Sequence, residues 1–196
     1  RFLKSKNYKE IDSKWALKLI LTLKFPTSVW AYLYSRDAIK TERFDPDIHF
    51  FEDIDFNIRV LSNVKKVSVC HKYLYHYNNQ SDYVSKNRKG AISERKMSCL
   101  KVLDKLENNQ ILKSFYKDEV TFLKLHFIYS LLLSLAKSEV LVDEYFNLIK
   151  SYSKNVSLNL NNIPSFTIRN ISGICLTKLP ARLFHKVFRL VMSLHV

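Results

Sequence analysis

Between residues 8 and 24 the apolar positions Ile11, Trp15, Leu19 and Leu23 recur at helical spacing, with Lys14, Lys18 and Lys24 largely off that stripe. The pattern predicts an amphipathic helix. Phe25-Pro26 closes it, because the residue before a proline is pushed out of helical geometry. Residues 28–40 read as a strand leading into a short helix, and Asp45-Pro46-Asp47 is turn chemistry. A second helix opens at the acidic run that holds Glu52, Asp53 and Asp55. Ile54, Ile58 and Leu61 form its apolar face, Asp55 and Arg59 stand four apart and can pair, and Glu52 and Asp53 occupy the first turn, where the helix dipole favours negative charge. Residues 67–70 read as a short buried strand and residues 72–77 as an alternating one. Residues 78–88 are polar and loop-like.

Beyond about Ile92 the pattern turns helical, with long helices predicted over residues 93–107, 114–137 and 143–152. Residues 153–165 form an Asn/Ser-rich connector. The end, residues 176–196, reads as a basic amphipathic helix started near Pro180. The expected fold class is therefore α/β in residues 1–90, built from short strands plus helices. Residues 91–196 form an all-helical region, and the chain is mostly helical overall. Only two Gly and four Pro occur, which fits long helices better than a turn-rich sandwich.

Composition narrows the function classes. Apolar residues make up 47% of the 196 positions, enough for a packed core. Gly90 and Gly173 are isolated, so no glycine-rich phosphate-cradling loop exists. Cys70, Cys99 and Cys175 show no zinc spacing and read as reduced core thiols in a cytoplasmic setting. The apolar stretch over residues 125–136 is interrupted by polar residues and reads as too short to cross a bilayer. The first Met is Met97, so the expectation is a chain that begins inside a longer protein.

The net charge of +14 is unevenly placed. Residues 31–60 hold seven acids against four bases, whereas residues 151–196 hold six bases and no acid. In the last helix Leu183, Phe184, Val187, Phe188, Leu190, Val191 and Leu194 give a broad apolar face, with Lys178, Arg182, Lys186 and Arg189 beside it. Two readings stay open for it: contact with an anionic membrane surface, or closure of a domain or dimer.

Val29-Trp30-Ala31-Tyr32-Leu33-Tyr34-Ser35-Arg36-Asp37, then Arg43-Phe44-Asp45-Pro46-Asp47-Ile48, then Phe51-Glu52-Asp53-Ile54-Asp55-Phe56-Asn57 and Leu74-Tyr75-His76-Tyr77 follow one another in order. Together they resemble the acceptor-side half of bacterial family-2 glycosyltransferases, over roughly residues 25–90. The resemblance implies a GT-A fold, a nucleotide-sugar donor, a glycan or lipid-linked acceptor in surface-glycan synthesis, and inversion at the anomeric carbon. It carries the general base over to Asp53, with Glu52 beside it in the same pair. It also implies a divalent metal, Mg or Mn, in the complete enzyme. That family's metal motif follows a long apolar strand, which here would precede residue 1. Asp45-Pro46-Asp47 and Asp53-Ile54-Asp55 match the motif's letters but are misplaced. The expectation is therefore no metal ligand in this chain, and an inactive fragment when it stands alone. The chain departs from the pattern at Ala31 and Tyr32, where the family often has a lysine, and it lacks the QxxRW motif of processive relatives.

The candidate substrate-binding residues are Trp30, Tyr77, Asn79 and Gln80. Trp30 reads equally as a cleft-wall aromatic, and Asn79 and Gln80 also fit a polar surface loop. His71 and His76 are five apart and make a poor metal pair, and His49 reads as solvent-facing or structural. Asp53 also reads as a helix-start charge worth about 0.3–1 kcal/mol. The alternative function is a basic helical nucleic-acid-binding or non-catalytic interaction domain, although the acidic run opposes nucleic acid as a partner. The expected location is cytoplasmic, with a peripheral place on the inner face of the cell membrane left open by the two readings of the last helix.

Overall fold

A computed structural model describes residues 8–70, 72–76, 92–138, 142–154, 175 and 177–193, with Tyr8 and residues 188–193 as backbone only. The described chain is mostly helical, with one small two-stranded antiparallel sheet. Strand β1 (Tyr8–Asp12) pairs with β2 (Lys66–Cys70), Tyr8 opposite Cys70 and Asp12 opposite Lys66. Helix α1 (Ser13–Leu21) follows β1 directly, and α3 (Glu52–Asn63) leads into β2, so the sheet ties the starts and ends of two helices that pack on each other. Between them lie a 3-10 turn (Val29–Ala31) and the short helix α2 (Arg36–Ile39). The helical series continues with α4 (Glu94–Met97), α5 (Leu100–Asn108), α6 (Gln110–Phe115), α7 (Lys117–Ala136), α8 (Asp143–Ser153) and α9 (Ala181–Ser193).

The first helix is shorter than the spacing predicts, because Asp12 turns the chain from strand to helix. Its carboxylate accepts the Lys14 N–H at 2.7 Å, satisfying a donor left free at the helix start. The buried stripe is then Ala16, Leu17, Ile20 and Leu21, while Trp15 faces outward and Ile11 belongs to β1. The helix ends before Phe25. Leu23 adopts left-handed φ of 57°, its N–H donates to the Ile20 carbonyl and the Lys24 N–H reaches back to the Leu19 carbonyl. Residues 29–34 form the 3-10 turn and extended backbone rather than a strand, while the short helix after them is present. Residues 72–76 have no strand pairing and are exposed, and β2 is half-exposed rather than buried.

The long helices also break where side chains compete for backbone donors. Asn109 ends α5 and caps α6 through its Oδ1, which accepts the Leu112 N–H at 3.0 Å. Helix α7 is the hub, with Phe127, Ile128, Leu131, Leu132 and Leu135 fully buried. Around it lie Ile20 and Leu21 of α1, Ile54 and Ile58 of α3, Leu103 of α5, Phe146 of α8 and Phe184 of α9, all in one core that draws on both sides of residue 90. The helix is longer than the apolar stretch over residues 125–136 and meets the length and composition of a membrane span, yet 72% of that window is buried inside the protein. Cys99 is a core thiol, whereas Cys70 is half-buried and Cys175 is exposed, so only the first matches a core assignment.

His126, on α7, is half-buried, and desolvation holds its imidazole below the ordinary value of 6.5. The unfolded chain therefore binds a proton that the folded one refuses, so His126 contributes full stability above about pH 6.5 and loses it as the pH falls below. In melts between pH 7.5 and 5, His126→Gln should flatten the acid-side decline relative to the parent. An identical slope in both proteins would remove His126 from the account.

Candidate functional site

Helix α3 begins on a strained residue. Phe51, just before Glu52, has φ 63° and ψ 22°, a left-handed conformation that costs a bulky residue about 1–2 kcal/mol. Packing holds it there: its ring stacks on Phe127 at 4.0 Å and 11° and meets Phe50 at 4.3 Å. Phe51 offers no side-chain cap, so Glu52, Asp53 and Asp55 in the first turn supply the negative charge that the helix start favours.

Successive faces of α3 then do different things. Ile54, Ile58 and Leu61 enter the core. Asp55, 5% exposed, accepts from Arg59 at 3.0 and 3.1 Å and lies 3.4 Å from the Lys105 ammonium. Arg59 also pairs with Glu42 and donates to the Arg43 carbonyl at 2.7 Å, tying α3 to the loop before the Asp45-Pro46-Asp47 turn. Lys105 holds Asp45 at 2.7 Å and Lys101 holds Asp47 at 3.0 Å. The Lys105 hydrogen bond, with help from the Asp47 N–H, keeps the Asp45 carboxyl below the usual carboxylate range. Asp45, Asp47 and Asp55 are thus held by cations, a donor set that does not fit a divalent metal. No cluster of metal-ligating side chains occurs among the described residues.

The third face, four residues apart, carries Asp53 and Asn57. Both Glu52 and Asp53 are half-buried. Asn57 is 1% exposed and needs partners: its Nδ2 donates to the Thr27 carbonyl at 2.8 Å, and its Oδ1 accepts the Tyr34 hydroxyl proton at 2.5 Å. Burial first, and the Asp53 carboxylate second, push the Tyr34 phenol well above its ordinary range. Tyr34 stacks on Tyr32, whose hydroxyl donates to the Pro26 carbonyl, and meets the edge of Phe56. The segment 26–34 is thereby fastened along the Asp53 face of α3.

On that segment Trp30 is 47% exposed and stacks on Tyr75 with centroids 4.7 Å apart at 22°. The 3-10 turn that carries Trp30 packs against α3. Of the residues expected from sequence, Asp53, Glu52 and Trp30 therefore belong to neighbouring elements, whereas Tyr77, Asn79 and Gln80 lie outside the described residues. The motifs contain Tyr34, Asn57 and Tyr75 but give them no role. The signal that could have found Asn57 is its spacing of four from Asp53, which puts the two on one face of the helix.

An open groove of about 750 Å³ lies elsewhere, lined by Asp47, His49, Lys101, Asp104 and Tyr152 among others. Its charges are mixed, and the Tyr152 hydroxyl donates into the Asp104 carboxylate at 2.8 Å. His49 is exposed and its backbone N–H donates to the Ser98 hydroxyl, a structural role. Neither Asp53 nor Trp30 lines this groove. No family model, curated protein or solved structure matches the chain.

Proposed function

We propose that this chain forms the acceptor side of an inverting glycosyltransferase of the family-2, GT-A type, with Asp53 as general base. The observation that carries the reading is a half-buried Asp53 carboxylate beside the Asn57-bonded Tyr34 phenol, on a helix against which the turn bearing the exposed Trp30–Tyr75 stack packs. A sugar offers the matching chemistry: a hydroxyl for the Asp53 carboxylate and a C–H face for the Trp30–Tyr75 pair. The acceptor hydroxyl oxygen attacks the donor's anomeric carbon while the bond to the nucleoside diphosphate breaks, and the Asp53 carboxylate takes the hydroxyl proton. Configuration inverts because the entering oxygen arrives opposite the leaving group. Glu52 flanks the base in the same helical turn. A Mg or Mn ion, held outside the described residues, would neutralise the leaving diphosphate in such an enzyme.

The test takes the complete native protein, a panel of nucleotide sugars, and glycan and lipid-linked acceptors. Nucleoside diphosphate should be released with one donor class and rise when the right acceptor is added. A protein that neither binds nor consumes any nucleotide sugar would contradict the reading.

A further inference from the structure

We propose that the outward side of α9 docks on an anionic lipid surface, an attachment that requires nothing of the Asp53 site. One side of α9 is fixed inward: Phe184 is fully buried with its ring 5.1 Å from that of Phe146, and the His185 ring stands 3.2 Å from the Ser138 carbonyl. The other side carries Arg182 and Lys186, both exposed and one helical turn apart, with exposed Lys178 just ahead of Pro180. Leu183, 46% exposed, lies alongside them. Two turns on, the sequence repeats the pair as Arg189-Leu190. No carboxylate occurs after Glu144 to neutralise these cations from within the same stretch.

Cations alone would serve any polyanion, and the leucine decides between them. A helix lying in a headgroup layer places apolar side chains at the acyl boundary while neighbouring Lys and Arg reach the phosphates. Nucleic acid instead rewards hydrogen-bonding and stacking side chains between the cations. The exposed side chains over residues 178–187 are Lys178, Pro180, Arg182, Leu183 and Lys186, with no amide, hydroxyl or aromatic ring among them. The occupant that fits is therefore an acidic phospholipid surface.

The 196-residue chain would be sedimented with vesicles of phosphatidylcholine alone and of phosphatidylcholine mixed with phosphatidylglycerol, at rising salt. Binding is expected to the mixed vesicles only and to weaken as salt rises. At low salt, Arg182→Gln with Lys186→Gln should weaken it about 25-fold, about fivefold for each charge. Leu183→Gln, which leaves the charge untouched, should also weaken vesicle binding several-fold while leaving binding to a short DNA duplex unchanged. Because these side chains are exposed, circular dichroism of both variants should match the parent. The proposal is overturned by failure to bind the mixed vesicles, by equal binding to phosphatidylcholine alone, by indifference to Leu183→Gln, or by preferential capture on duplex DNA.

Discussion

Phe127→Ala is expected to lower stability by about 3–5 kcal/mol, the cost of emptying a fully buried aromatic site. For a chain of this length that corresponds to a melting point lower by roughly 6–20 °C. The loss also has a local component. Phe127 is the ring against which Phe51 stacks, and Phe51 is held in a conformation that a bulky residue adopts only under constraint. Hydrogen exchange should therefore accelerate first at the Asp55 N–H, which donates to the Phe51 carbonyl at 3.2 Å across the opening turn of α3. A companion pair isolates the backbone contribution: Phe51→Gly should be more stable than Phe51→Ala by about 1 kcal/mol, because only glycine accepts positive φ without penalty. If Ala were the better residue there, the left-handed start of α3 would be refuted.

The second large effect separates two carboxylates in the same helix. On the glycosyltransferase function proposed above, Asp53→Asn in the complete protein should reduce acceptor-dependent turnover by about 10²–10⁴-fold, since the amide cannot take a proton from the attacking hydroxyl. Its melting point should stay close to the parent's. Asp55→Asn should behave the other way. Asp55 holds Arg59 and Lys105 from a position 5% exposed, so its loss weakens a network that joins α3, the turn at residues 45–47 and α5. Arg59 and Lys105 are themselves part-exposed, so water compensates in part and the expected cost is about 1–3 kcal/mol. Turnover at a temperature where both proteins are folded should then fall little in Asp55→Asn.

Local rules made some of this legible. Helix α3, its Ile54–Ile58–Leu61 face and the Asp55–Arg59 pair all follow from spacing within one element, and the structure has each of them. The Asp45-Pro46-Asp47 turn follows from an Asx hydrogen bond two residues long. Strand β1 was not legible, because Tyr8–Asp12 becomes a strand only through β2, more than fifty residues on, and its apolar positions suit a helix equally well. The segment 29–34 looked like a strand from its aromatic content, yet those rings are used for packing on α3 and for hydroxyl bonds to Pro26 and Asn57. The left-handed Phe51 leaves no trace in composition, since no glycine marks it; its cause is a ring on a helix far along the chain. The same holds for the candidate site. Asp53 could be singled out from its motif, but Tyr34 reaches Asn57 and the Asp53 carboxylate only after α3 and the segment before it have packed.

The central claim is that Asp53 removes the acceptor's proton. Nucleoside diphosphate release should be measured for the complete protein and its Asp53→Asn variant, with saturating donor and acceptor at matched folded fraction. A drop of at least about 100-fold with unchanged donor affinity is the predicted result. Turnover equal to the parent's would contradict it.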